Sequence, residues 1–134
     1  MDLAPSIVIS SLDADRLEAL LERAPNDAYP ELRAELARAE VKAPQDMPGD
    51  VTTMNATVTF RDAASGTERE VTLVYPQDAD GRGERISILS PVGSALLGLR
   101  VGQGIDWDMP GGKPTHLQVT AIRYQPEASG DFTR

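Results

Sequence analysis

The stretch ISILSPVGSALLGLRVGQGIDWDMPGG, residues 86–112, leaves its backbone almost no alternative parse. Ile86 and Ile88 are β-branched, and their strand stops at Ser90-Pro91. A serine N-cap accepts an N–H of the first turn, and a proline at the first helical position loses no hydrogen bond there. Ala95, Leu96 and Leu97 continue the helix, and Gly98 stands where a left-handed residue closes it. Leu99 and Val101 lead into a turn at Gly102-Gln103-Gly104, Ile105 to Met109 read as the next strand, and Gly111-Gly112 turns the chain again. Gly102-x-Gly104 is not a dinucleotide fingerprint, because no parallel βαβ unit surrounds it. The stretch holds no nucleophile, no metal-ligand set and no phosphate loop. Such a segment points to a protein that works by docking.

The N-terminal part follows a helical period. Leu17, Leu20, Leu21 and Ala24 predict a helix from about Leu12 to Arg23, capped by Ser10 or Ser11, with Asp13 and Asp15 favourable to its dipole. Pro25 ends it. Pro30 opens a second helix to about Val41, with Leu32, Leu36 and Ala39 as its apolar stripe, and Pro44 stops it. The short link makes the two helices antiparallel neighbours, a hairpin zipped by leucines as a short coiled coil. Helices of about 13 residues reach roughly 20 Å and are marginal alone, so packing must hold them. The segment PQDMPGD, residues 44–50, is a linker or an ordered crossover.

Beyond it the period changes to two. Met54, Ala56, Val58 and Phe60 alternate with polar neighbours, residues 62–66 turn the chain, and Val71, Leu73 and Tyr75 alternate on the return. Residues 77–84 read as a polar loop. Ile86 to Leu89, Ile105 to Met109 and Leu117 to Tyr124 complete an antiparallel sheet with the short helix on one face, and the polar tail from Gln125 is expected to be poorly ordered. The expectation is an α+β chain: a helical hairpin over residues 1–44 and a sheet domain with one short helix over 45–134.

Composition narrows the function. A chain of 134 residues makes one domain, or one with a small appendage, and can bury a core without staples. No apolar run approaches the roughly 20 residues that span a bilayer, so no membrane partner is expected. The opening MDLAPSIVIS carries an aspartate and no basic residue, unlike a secretory signal. With no cysteine in the chain, disulfides and cysteine–zinc sites are excluded, and a cytoplasmic location is expected. The net charge is −8, with nine acids against five bases in residues 1–44 and twelve against eight beyond. Neither part offers a basic face for nucleic acid, and sequence-specific binding of it is not expected. An acidic balance favours a basic partner surface or simple solubility.

The remaining chemistry-bearing residues have plain readings beside their functional ones. His116, the only histidine, enters a strand beside a Pro-Gly-Gly turn, and no serine–acid pattern accompanies it as a general base. Trp107 packs in a core or anchors a partner. Asp106 and Asp108 share one strand face, as spaced carboxylates for acid–base or magnesium chemistry or as a solvated face. No cofactor, metal site or enzyme activity is indicated.

The segment SPVGSALLGLRVGQGIDWDMPGG resembles the C-terminal domain of the bacterial transcript-cleavage factors GreA and GreB. One branch of that superfamily, the regulators of nucleoside diphosphate kinase, is more similar still. The residues that carry this are Val74-Tyr75-Pro76, Pro91-Val92-Gly93, Trp107 with Met109-Pro110-Gly111-Gly112, Thr115-His116-Leu117, and Tyr124-Gln125-Pro126-Glu127. Met47-Pro48 and Thr53-Met54-Asn55 extend the resemblance upstream. It implies an FKBP-like sheet domain and, as candidate partners, RNA polymerase and nucleoside diphosphate kinase. In Gre factors the hairpin tip carries acidic residues that pass through the polymerase secondary channel to the catalytic magnesium. The corresponding tip here holds Asn26, Asp27 and Glu31, which read equally as partner contacts or as an N-cap and first-turn acid of the second helix. The segment Ser90, Pro91, Val92 and Gly93, with Glu84 and Ser87 before it, corresponds to the edge that Gre factors turn toward the polymerase rim. The resemblance implies a regulator that competes with Gre factors for one docking place, its rod too short for cleavage. The FKBP-like fold also allows a peptidyl-prolyl isomerase, and the branch name allows a direct binder of the kinase.

Overall fold

A computed structural model of the chain describes residues 7–63, 65–79, 84–109 and 113–130, with the backbone alone at 108, 109, 113 and 114. The Pro110–Gly112 turn, the Asp108 carboxylate and the last four residues of the tail lie outside the described residues. The chain opens with a short strand β1 (Val8–Ser10), then helix α1 (Ser11–Glu22), helix α2 (Pro30–Arg38) and strand β2 (Glu40–Lys42). Strands β3 (Thr57–Asp62) and β4 (Thr67–Val74) follow, then β5 (Arg85–Ser87), helix α3 (Pro91–Leu96), β6 (Gly104–Met109) and β7 (Lys113–Tyr124).

Local chemistry explains the helix starts. The Ser10 side chain accepts the Asp13 N–H at 3.1 Å, capping α1. Pro30 sits in the first turn of α2. α2 is shorter than its periodicity predicts, because Ala39 turns to extended backbone and Glu40–Lys42 pairs in parallel with β1. Val41 is β-branched, and the apolar run Ile7-Val8-Ile9 offers it a backbone partner that helical spacing does not reveal.

The leucines also find a different partner from the one expected. Instead of a two-helix zipper of their own, Leu17, Leu21 and Leu32 enter one core with Phe60, Leu73, Ile88, Leu96 and Leu117. α1 packs against β1 and β2, and α2 against α3, more closely than the helices pack on each other. Burying a leucine among sheet residues removes more apolar surface from water than a narrow two-helix seam can.

The main sheet has the order β5-β4-β3-β7-β6. It is mixed, not antiparallel as expected: β5 runs parallel to β4, pairing Thr72 with Arg85 and Val74 with Ser87. A 3-10 turn at Pro76–Asp78 leaves the end of β4 in place of a tight hairpin, and a parallel neighbour cannot be reached by a two-residue hairpin. Register shifts between β3 and β7 at Thr57/Val58 and Thr59/Phe60 curl the sheet. α3 lies against β5, β6 and β7.

Of the two readings left open for residues 44–50 the structure shows the crossover, and the described part of the tail is ordered where poor order was expected. Residues 44–50 form an ordered crossover: a 3-10 turn at Pro44–Asp46 is followed by Met47, which packs with Val8 and Val51. The tail does not drift off after β7. Gln125 is 2 % exposed, and its amide nitrogen donates to the Pro48 and Val51 carbonyls at 2.8 Å each. Its amide oxygen accepts the Ala128 N–H at 3.1 Å, and Thr53 Oγ1 donates to Glu127 at 2.8 Å. The polar residues of the tail satisfy backbone of the crossover, which a reading of polarity as solvation misses.

Candidate partner-binding surface

The structure divides the predicted site residues into two groups. Six belong to the corner where β5 enters α3, and three to the turn between α1 and α2.

The corner is built almost wholly from hydroxyl-to-backbone bonds. Ser90 Oγ donates to the Ser87 carbonyl at 2.7 Å and accepts the Gly93 N–H at 3.1 Å. Ser87 Oγ accepts the Leu89 N–H at 3.0 Å, and Ser94 Oγ donates to the Ile88 carbonyl at 2.7 Å. Ile88 is fully buried beneath. Gly93 is buried too, and a Cβ there would run into the Ser87 carbonyl. Gly93 therefore sets the shape of the corner and offers no side chain to a partner. Glu84 is exposed, Ser87, Ser90, Pro91 and Val92 are half-buried, and the Glu84 carbonyl accepts the Thr72 N–H at 2.8 Å. At the far end of α3, Gly98 has φ +80° and a Cβ there would press on Ile7. Glycine lets β1 approach α3, and Val8 N–H donates to the Gly98 carbonyl.

The turn is held differently. Asn26, Asp27 and Glu31 are all exposed. Neither Asn26 nor Asp27 caps α2, whose N-cap is Tyr29, at φ 56° with no side-chain cap bond. Glu31 does lie in the first turn, where a carboxylate meets the positive end of the helix dipole. The signal that sequence reading missed is Arg33. Its guanidinium donates to the carbonyls of Ala28 at 2.7 Å, Pro25 at 3.0 Å and Leu21 at 3.1 Å. The Leu21 carbonyl, whose i+4 residue Pro25 has no N–H, accepts the Ala24 N–H at 3.1 Å, and Arg33 adds a second donor to it.

The other candidates fall on the plain side. His116 Nδ1 sits 2.9 Å from Asp106 Oδ1 as an exposed cross-strand pair. Trp107 is half-buried against the core. Among the described residues there is no cluster of three or more side chains able to hold a metal. No helix there is long and apolar enough to cross a membrane.

Two buried carboxylates were not foreseen as such. Asp13 accepts the Met54 N–H at 3.1 Å and so ties α1 to the start of the sheet. Burial raises its pKa to about 7 against the opposing pull of that hydrogen bond, with the Glu127 charge raising it further. Glu35 on α2 is 2 % exposed, and burial lifts its pKa to about 7, while Arg38 at 3.5 Å pulls the other way. Glu35 lies three residues from Leu32 on the inward stripe, which is the signal that finds it.

Comparison with known proteins places this architecture. The family described as "Transcription elongation factor, GreA/GreB, C-term" matches residues 47–124, and "Rnk N-terminus" matches residues 5–41. The "Regulator of nucleoside diphosphate kinase" of Escherichia coli (strain K12) is 48% identical over 131 residues, which is 96% of each chain. "Transcription elongation factor GreA" of Rhodospirillum rubrum is 36% identical over 94 residues, 70% of this chain and 59% of that protein. The solved structure "Prokaryotic transcription elongation factor GreA/GreB from Nitrosomonas europaea" is 53% identical, with TM-score 0.72 over 90% of this chain and 99% of that one. The curled sheet crossed by α3 is thus a GreA/GreB-type C-terminal fold carrying a short helical segment in front of it. The chain belongs to the regulator of nucleoside diphosphate kinase family within the GreA/GreB elongation-factor superfamily.

Proposed function

We propose that the chain is a non-enzymatic regulator that docks on RNA polymerase near the secondary-channel entrance and competes there with Gre-type factors. The observation that carries this is the GreA/GreB C-terminal match over residues 47–124, which contains the whole β5–α3 corner. Glu84, Ser87, Ser90, Pro91 and Val92 form the contact edge, and Gly93 holds its shape. The helical segment, residues 1–44, points Asn26, Asp27 and Glu31 at the same partner but falls short of the catalytic magnesium. Helices of 12 and 9 residues span roughly 18 Å and 14 Å at about 1.5 Å per residue. The sheet domain, residues 45–134, is FKBP-like in outline with no isomerase role. An isomerase cleft needs an apolar aromatic lining, and the open groove beside Tyr75 and Tyr124 is walled by arginines. The name of the Escherichia coli relative supports an effect on nucleoside diphosphate kinase, exerted through transcription or on the kinase directly.

The test is co-elution with core polymerase, displacement by GreA, and a cleavage assay on a stalled elongation complex. Co-elution and displacement without stimulated cleavage are expected. Failure to bind polymerase overturns the docking reading, and strong stimulation of cleavage overturns the argument from helix length.

A further inference from the structure

Two carboxylates far apart in the chain meet at one turn. In the turn at residues 53–56, closed by the Ala56 N–H on the Thr53 carbonyl, Asp13 of α1 accepts the Met54 N–H at 3.1 Å. Glu127 of the tail accepts the Thr53 hydroxyl at 2.8 Å. The two acids therefore hold adjacent residues of one buried segment, and Asp13 is itself buried while Glu127 is half-buried. The other groups that act on Asp13 are the Ser10 hydroxyl, Arg16 on its own helix and Tyr75 just after β4. The tail is anchored at its start by bonds that do not titrate, those from Gln125 to the Pro48 and Val51 carbonyls. Beyond that anchor, residues 126–130 form a turn on their own backbone, with the Ser129 N–H on the Gln125 and Pro126 carbonyls and the Gly130 N–H on the Glu127 carbonyl. Glu127 fastens this turn to the body, and Ala128 rests near Gly49 of the crossover.

We propose that residues 126–130 are a proton-linked strap: while Asp13 is protonated the strap stays closed on the crossover through Glu127 and Thr53, and ionisation of Asp13 drives Glu127 away. Two carboxylates converging on one turn oppose each other's ionisation. Burial is the main reason that Asp13 keeps its proton up to about 7, and the Glu127 charge adds to it, against the pull of the Met54 N–H. Coupling of this kind is reciprocal. A docked Glu127 tightens the proton on Asp13, so a proton on Asp13 tightens the docking of Glu127 by the same factor. The raised acid binds its proton in the closed form, so closure is favoured below about pH 7 and is lost as pH rises through it. Arg16 favours the ionised carboxylate, so α1 keeps its place while the strap leaves. Gln125, whose bonds are indifferent to pH, is the hinge. The strap is separate from the polymerase reading above and stands or falls without it.

Carbon-13 NMR of the full chain, titrated between about pH 5 and pH 9, tests this. The Asp13 carboxyl carbon reports its proton, and the Ala128 methyl reports whether the strap is closed. The Ala128 signal should move to its free position with the same midpoint as Asp13. In Asp13→Asn, which cannot ionise, it should stay at the closed position throughout. Glu127→Gln keeps an oxygen for the Thr53 hydroxyl and removes the charge. It should lower the Asp13 midpoint by about one pH unit, which by reciprocity is about a tenfold change in strap closure. This second variant leaves the buried acid in place, so it decides the matter even if Asp13→Asn folds poorly. An Ala128 signal that does not move across the range overturns the proposal. So does an Asp13 midpoint unchanged in Glu127→Gln, or an Ala128 signal that moves as much in a folded Asp13→Asn as in the parent.

Discussion

The α1–α2 turn and the β5–α3 corner both face outward, but they are held in opposite ways. At the corner, Ser87, Ser90 and Ser94 bond backbone within seven residues of one another, above a fully buried Ile88. At the turn, one long cation, Arg33, gathers three carbonyls, and Asn26 and Asp27 are exposed. The corner keeps its shape before any partner arrives, so binding there spends little on ordering. The turn depends on a flexible side chain and presents charges that water screens. Under the proposed docking, affinity belongs to the corner and fine adjustment to the turn.

The largest test asks whether the two regions share one structure at all. Leu32 on α2 is 1 % exposed and lies in the same core as Phe60 and Leu117. Leu32→Ala should cost about 3–4 kcal/mol and lower a single unfolding transition. Helical circular dichroism and Trp107 fluorescence, followed in urea, should move together. If the helical signal melts early while Trp107 keeps its environment, the helices and sheet are separate units and the comparison loses its frame.

Next in size is a pH effect on the helical side of that frame. Asp13 and Glu35 both have folded pKa values raised to about 7, with burial the largest cause. A raised acid binds its proton more tightly folded than unfolded. Its contribution is therefore fully present below about pH 4 and is lost as pH rises through 7. The groups facing Asp13 are Glu127, Arg16 and Tyr75, and Arg38 faces Glu35. Asp13→Asn keeps an oxygen for the Met54 N–H but cannot ionise. Its stability relative to the parent should improve by on the order of 2–3 kcal/mol between pH 4 and pH 8, read from urea midpoints. An unchanged difference across that range would show that Asp13 does not titrate in this window.

A pair of substitutions then compares the two surfaces directly. Gly93→Ala forces a methyl against the Ser87 carbonyl and should cost about 2 kcal/mol. Arg33→Ala removes three bonds to carbonyls that water can partly replace, and should cost about 1 kcal/mol. Hydrogen exchange should speed locally around residues 25–29 in Arg33→Ala, whereas Gly93→Ala should loosen the whole corner. The reverse ranking would make the turn the more rigidly held surface.

What was legible beforehand follows the range of the forces involved. Ser90-Pro91, Gly98 and the period-two strands are local signals, and each stands where it was expected, with the Ser90 cap and the positive φ at Gly98 in place. The parallel pairings were not legible. β1 needs β2, and the two are separated by both helices, so no window of neighbouring residues contains the cause. Gln125 opens a polar tail for which poor order is expected, yet it is buried with bonds to Pro48 and Val51, more than seventy residues away. Asp13 was legible as a first-turn acid but not as a tie to Met54. At the site, the residues of the corner could be named, but Arg33, which holds the turn, had no motif to announce it.

The smallest effect decides which surface a partner reads. Glu84 is exposed beside a corner held by serine-to-backbone bonds, and Asp27 is exposed on a turn that one arginine holds. An exposed charge at the rim of an interface contributes little alone, so neither substitution should disturb the fold. Where the partner surface is basic, Glu84→Lys replaces an attraction with a repulsion at a fixed position. Asp27→Ala removes one screened charge from a position that can adjust. Polymerase affinity, measured by fluorescence anisotropy at fixed salt, should fall about fivefold for Glu84→Lys and less than twofold for Asp27→Ala. Raising the salt should shrink the Glu84→Lys loss, because the term is Coulombic. If Asp27→Ala instead carries the larger loss, affinity resides at the end of the helices, and the rigid corner is a scaffold for the turn.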